Sequence, residues 1–106
     1  MQKRVRVYIQ GDVIGVGFRA WVKIQARVIG GITGWIRNTF NKPEVFGVSG
    51  GVEAVLVGEE AKVDRLIAML KQGSPISHVE EVHIMHIEPK EEYQSFEIRP
   101  TKHLEH

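Results

Sequence analysis

Val5-Arg6-Val7-Tyr8-Ile9-Gln10-Gly11-Asp12-Val13-Ile14-Gly15-Val16-Gly17-Phe18-Arg19 changes its period part-way, and that change decides the fold. From Arg4 to Gln10 the apolar residues Val5, Val7 and Ile9 share one face, while Arg6, Tyr8 and Gln10 share the other. That alternation is a strand with one covered face and one wet face, which favours antiparallel pairing. Past the glycines, Phe18, Val22, Ala26 and Ile29 recur at helical spacing and form one apolar stripe on a helix of about 12 residues. Gly11, Gly15 and Gly17 punctuate the loop between the two. A loop of this kind gathers free backbone N–H groups and the positive end of a helix dipole around one point, which suits an anion.

The pattern continues outward from there. Gly30-Gly31 ends the helix, and Ile32 to Asn38 reads as a second strand with Trp35 and Ile36 on opposite faces. Val52 to Val57 reads as a third strand. A second helix starts near Glu59, carries Val63, Leu66, Ile67 and Leu70 on one face, and stops at Gly73-Ser74-Pro75. Val79 to Ile87 is a long fourth strand closed by Pro89, and Ser95 to Arg99 is a short last one. The order β-α-β-β-α-β plus a short C-terminal strand is the split βαβ, ferredoxin-like α+β arrangement, with two helices on one face of an antiparallel sheet. Thr39 to Gly51 is the irregular stretch. Its turn residues and the apolar Val45-Phe46-Gly47-Val48 predict an extended β-arm that gates the site or contacts another copy of the chain.

The chain has 106 residues, 42% of them hydrophobic and 25% charged, which argues for one globular domain and against disorder. Residues 1–101 read as that domain. Residues 102–106 read as a tail whose Leu104-Glu105-His106 is the remnant of an expression tag, so His106 receives no role. A net charge of +1 with no Lys/Arg run argues against a nucleic-acid partner. The polar Met1-Gln2-Lys3-Arg4-Val5 is no signal peptide, and no apolar stretch approaches the ~20 residues that span a bilayer. The absence of cysteine excludes disulfides and thiol nucleophiles. The expectation is a cytoplasmic monomer.

Three features carry chemistry. The backbone of the loop, Val13, Ile14, Gly15, Val16, Gly17 and Phe18, can point successive N–H groups inward as an anion nest. Taken alone, the loop is equally a plain strand–helix turn. It is neither the nucleotide P-loop, which needs Gly-Lys-Ser/Thr, nor the dinucleotide fingerprint. Arg19 falls in the first turn of the helix, where a cation is electrostatically disfavoured unless an anion sits in front of it. Its planar fork suits two phosphate oxygens. Asn38 ends the second strand. Its amide can accept from and donate to one water, although by itself it reads first as a turn-forming Asn. His83 and His86 alternate to opposite faces of one strand and do not make a metal site. His78 and His103 read as surface residues. Glu80-Glu81 and Glu91-Glu92 read as solvated charges, and Trp21 and Trp35 as packing.

Taken together, these segments resemble the acylphosphatases. Gly11-Asp12-Val13-Ile14-Gly15-Val16-Gly17-Phe18-Arg19 follows that family's Gly-x-Val-Gln-Gly-Val-x-Phe-Arg at all but one place, and Gly34-Trp35-Ile36-Arg37-Asn38 follows its Gly-aromatic-x-x-Asn. Val52-Glu53-Ala54-Val55-Leu56-Val57-Gly58, Gly73-Ser74-Pro75 and Phe96-Glu97-Ile98 extend the similarity over nearly the whole domain. The resemblance implies a hydrolase that cleaves acyl phosphates to carboxylate and inorganic phosphate, with no cofactor and no metal. It implies that Arg19 and the loop backbone bind the phosphate and that Asn38 orients the attacking water. The chain departs from the family at Ile14, where Gln is usual, and at Thr39–Gly51, where a tight turn is usual. The alternative is a non-catalytic phosphate-binding regulatory module on the same fold. A ferredoxin-like RNA binder lacks its aromatic strand signature here.

Overall fold

The computed structural model describes residues 1–88 and 90–104. Pro89, expected to close the fourth strand, and Glu105 and His106 of the expected tag remnant lie outside the described residues. The elements are β1 (Gln2–Asp12), α1 (Phe18–Ile29), β2 (Thr33–Thr39), α2 (Pro43–Phe46), β3 (Gly51–Glu59), α3 (Glu60–Gln72), β4 (His78–His86) and β5 (Phe96–Ile98). The strand order across the sheet is β4-β1-β3-β2-β5. Both long helices lie where the apolar stripes predict. Val5, Val7 and Ile9 of β1, Ile36 of β2, and Val52, Ala54 and Leu56 of β3 form one core with Phe18, Val22 and Ala26 of α1 and Val63, Leu66, Ile67 and Leu70 of α3.

The sheet is mixed, not wholly antiparallel as the alternation predicts. β1–β3, β1–β4 and β2–β3 are antiparallel, but β5 joins β2 in parallel. The long return from β4 allows this, because parallel neighbours need a crossover and cannot be joined by a tight turn. Pairing with β2 continues past β5 through a bridge from Lys102 to Thr39, with the register slipped by one residue. That slip falls around Pro100, which has no N–H to give to a ladder.

The stretch 39–51 is not an extended arm. Pro43 occupies the start of α2, and Gly47 (φ 67) caps it, followed by a short 3-10 turn over Gly47–Ser49. Pro at the first helical position and Gly just past the end favour a helical turn over a β-arm. The turn folds down on the face of the sheet opposite α1 and α3, where the buried Phe46 ring meets Tyr8 edge-on at 5.9 Å. Gly50 and Gly51 let two rings lie on bare backbone. A Cβ on Gly50 would sit 2.5 Å from the Phe40 ring, and one on Gly51 would sit 2.5 Å from the Phe46 ring.

β1 and β4 show a bulge. The register shifts between Gln10 and Gly11, so Glu80 is the extra residue on β4. At this point Gly11 has φ 138, and a Cβ there would lie 2.1 Å from the His78 carbonyl oxygen. The bulge brings the start of β4 against the end of β1, just before the glycine loop.

Candidate active site

β1 and β2 both run antiparallel to β3, so they are parallel to each other and their C-terminal ends lie at one end of the sheet. The glycine loop leaves the end of β1, and Asn38 is next to last in β2. Only β3 separates them, which sets the two strands about 10 Å apart. Topology therefore brings together the two motifs that the sequence separates by some twenty positions.

The loop is anchored by its apolar members. Val13 and Phe18 are buried in the core, Ile14 and Val16 are half-buried, and Gly15 and Gly17 are exposed. Gly15 (φ 79) and Gly17 (φ 72) adopt left-handed backbone in open space, so the requirement for glycine there is conformational and not steric. Among the described residues, the N–H groups of Ile14, Gly15, Val16 and Gly17 donate to no backbone carbonyl. Helix α1 opens at Gly17 with no side-chain cap and no acidic residue in its first turn. Its first internal bond runs from Trp21 N–H to Gly17 O at 3.0 Å, leaving the preceding N–H groups directed out of the helix end.

Arg19 stands in that first turn, half-buried, with no hydrogen bond or ion pair among the described residues. A cation beside uncapped donors is the reverse of ordinary helix-end chemistry. Asn38 is 6% exposed, and its Oδ1 has no hydrogen-bond partner among the described residues. Asn38 alternates with the core residue Ile36 and lies opposite the core residue Val52, so it belongs to the helix-covered face, the face of Phe18. Among the described residues no group of His, Cys, Asp or Glu has the arrangement of a metal site.

The reverse face carries a charged layer. Glu53 is 2% exposed and accepts from Arg6 at 2.5 Å and from Arg37 Nε at 2.9 Å. Arg37, Arg99 and Arg6 surround the buried Trp35 ring at 4.8, 4.7 and 5.7 Å from its centroid, and the indole N–H donates to the Tyr93 hydroxyl at 3.3 Å. This layer ties β1, β2 and β3 together directly behind the site. The signal for it was a lone carboxylate inside the apolar run Val52 to Val57, with Arg6 and Arg37 on two other strands.

The family model described as Acylphosphatase matches residues 5–98. The chain belongs to the acylphosphatase family. An acylphosphatase of Synechococcus sp. (strain JA-2-3B'a(2-13)) is 43% identical over 98 residues, covering 92% of this chain and 94% of that protein. Among solved structures, an acylphosphatase from Coxiella burnetii superposes with a TM-score of 0.78 at 31% identity, covering 92% of this chain and 93% of its own. The acylphosphatase from Bacillus subtilis gives 0.77 at 28% identity, covering 93% and 99%. The ferredoxin-like fold and acylphosphatase activity expected from the sequence both stand. The substrate is accordingly a small acyl phosphate and the product inorganic phosphate. No helix among the described residues is long and apolar enough to cross a membrane.

Proposed function

We propose that this acylphosphatase holds the phosphoryl group of its substrate in the Val13–Phe18 backbone cradle, clamps it with Arg19, and directs a water onto it from Asn38. The observation that carries the reading is the orphaned Asn38 Oδ1, at the same end of the sheet as four unpaired loop amides. A buried acceptor left alone costs about 1–3 kcal/mol, so a role that supplies a donor accounts for its presence. A water bound there donates one proton to Oδ1 and turns a lone pair toward phosphorus.

The chemistry needs little else. The scissile bond joins phosphorus to a carboxylate oxygen, and a carboxylate with a conjugate-acid pKa of roughly 4 leaves without a proton donor. Water attacks phosphorus in line, the P–O bond to the acyl group breaks, and its electron pair departs with the carboxylate. The water's proton passes to a phosphate oxygen. Charge on the transferring group is met by the guanidinium of Arg19 and by the amides of Ile14 to Phe18, groups already in place before the reaction begins. Positioning and charge stabilisation thus do the work. Ile14 leaves the cradle without the side-chain amide usual in the family, so the loop's shape rests on its glycines and on the burial of Val13 and Phe18.

The test is hydrolysis of a small acyl phosphate in the presence of a chelator, comparing the native chain with Arg19→Ala and Asn38→Ala. The expected result is activity that Arg19→Ala abolishes with loss of phosphate inhibition, and that Asn38→Ala lowers with phosphate inhibition retained. Equal turnover by all three proteins would refute the assignment.

A further inference from the structure

The carbonyl of Asn38 is held from outside the segment that the family model covers. Lys102 N–H donates to Asn38 O at 2.9 Å, and Phe40 N–H donates to Lys102 O at 2.7 Å, so Lys102 spans the two peptides that flank Thr39. The segment is also tied two residues earlier along β2, where Arg99 N–H donates to Ile36 O at 2.8 Å. In a strand, the N–H and C=O of one residue point to the same side, and successive residues alternate sides. Asn38 O faces Lys102, so it faces away from β3. Its pairing with Val52 is therefore the kind without hydrogen bonds, and the Lys102 amide is what fixes the peptide carrying the Asn38 side chain.

The ring of Phe40 secures the same point. It lies against Gly50, and it stacks on His103 with ring centroids 6.3 Å apart and planes 6° apart. The turn at 39–50 and the segment after β5 thus close on each other next to Asn38.

We infer that the backbone N–H of Lys102 is a positioning group for Asn38, with the Phe40–His103 stack keeping it seated. The inference rests on the reading of Asn38 as the residue that orients the water. An in-line attack tolerates little displacement, and a strand end released from its neighbour swings by more than that tolerance. The side chain of Lys102 plays no part in this role.

Lys102→Pro deletes the N–H at an edge position where the backbone is already extended, and Lys102→Ala retains it. The expected result for Lys102→Pro is a fall in kcat of about tenfold, the scale of one lost hydrogen bond, with KM and phosphate inhibition unchanged. Lys102→Ala should match the native chain. Placed in an Asn38→Ala background, Lys102→Pro should cost nothing further, because residues acting through one group are not additive. A native kcat for Lys102→Pro, an equal loss for Lys102→Ala, or a loss that persists beside Asn38→Ala would each overturn the inference. If Lys102→Pro does not fold, His103→Ala decides on the same criteria, with an expected loss of about threefold that vanishes beside Asn38→Ala. A native kcat for Asn38→Ala alone identifies failure of the underlying assignment, and the inference then falls with it.

Discussion

Replacing Asn38 with leucine should make the protein more stable and nearly inactive. The side chain is 6% exposed on the core face, beside the fully buried Val52 and one alternate position from the fully buried Ile36. Its Oδ1 meets no donor among the described residues. Leaving such an acceptor unmet costs about 1–3 kcal/mol, and a water at Oδ1 returns part of that, so a net penalty of about 1 kcal/mol remains. Leucine shares the branching of asparagine at Cγ, in a somewhat larger side chain, and removes the penalty, because apolar groups of similar shape at buried polar sites are neutral or stabilising. For a domain of this length, 1 kcal/mol moves Tm by about 4 °C. The same change deletes the group that aims the water, and a misaimed nucleophile costs about 100-fold in kcat. Calorimetry and initial rates on acetyl phosphate, with inorganic phosphate as competing inhibitor, read all three quantities. The expected outcome is a higher Tm, a kcat about 100-fold lower and an unchanged inhibition constant. A lower Tm with native kcat would mean that Asn38 is a structural strand end, and the argument from the orphaned oxygen would be refuted.

Four other changes test separate parts of the account. Arg19→Lys keeps a cation but loses the fork, and kcat/KM should fall about 100-fold; a fall under about threefold would show that charge alone suffices. Glu53→Gln leaves Arg6 and Arg37 facing a neutral amide, and the urea midpoint should drop by the equivalent of about 2 kcal/mol at unchanged m; an unmoved midpoint would remove the charged layer from the stability argument. Gly11→Ala drives a Cβ into the His78 carbonyl and should lower stability by at least about 2 kcal/mol, with faster amide exchange at the start of β4. A Tm within about 2 °C of native would contradict the bulge geometry. Ile14→Gln adds a side chain able to hydrogen-bond within the loop and should raise kcat about threefold; no change would show that the glycines and buried residues already hold the cradle rigid.

Both long helices, the first four strands and the pairing of Gly11–Arg19 with Asn38 were legible in the sequence, because each depends on a short repeating period or on a local motif. Phe18, Val22 and Ala26 can be read as a stripe without knowing what they touch. The parts that were not legible depend on distant partners. Val45-Phe46-Gly47-Val48 is apolar in a strand or in a helical turn alike; Pro43 and Gly47 bracket the turn, and the Tyr8 ring beneath Phe46 and the bare backbone of Gly51 seat it on the sheet. The parallel placing of β5 comes from its joining the edge of β2 and not the equally open edge of β4, a property of the assembled sheet. Lys102 is unremarkable in sequence, since its contribution comes from an N–H that nearly every residue has. Asn38 as a turn residue and Asn38 as a buried amide with an unmet oxygen look the same in sequence.

The outer edge of β4 is an open edge of the sheet. Among the described residues β4 pairs only with β1, so one row of its N–H and C=O groups faces outward and invites another strand. Its residues include adjacent carboxylates at Glu80 and Glu81, and the bulge at Gly11 bends the strand where Glu80 is inserted. A strand approaching in register meets negative charge and a broken spacing before it meets apolar surface at Ile84 and Met85. Glu80 and Glu81 thus act against edge-to-edge growth.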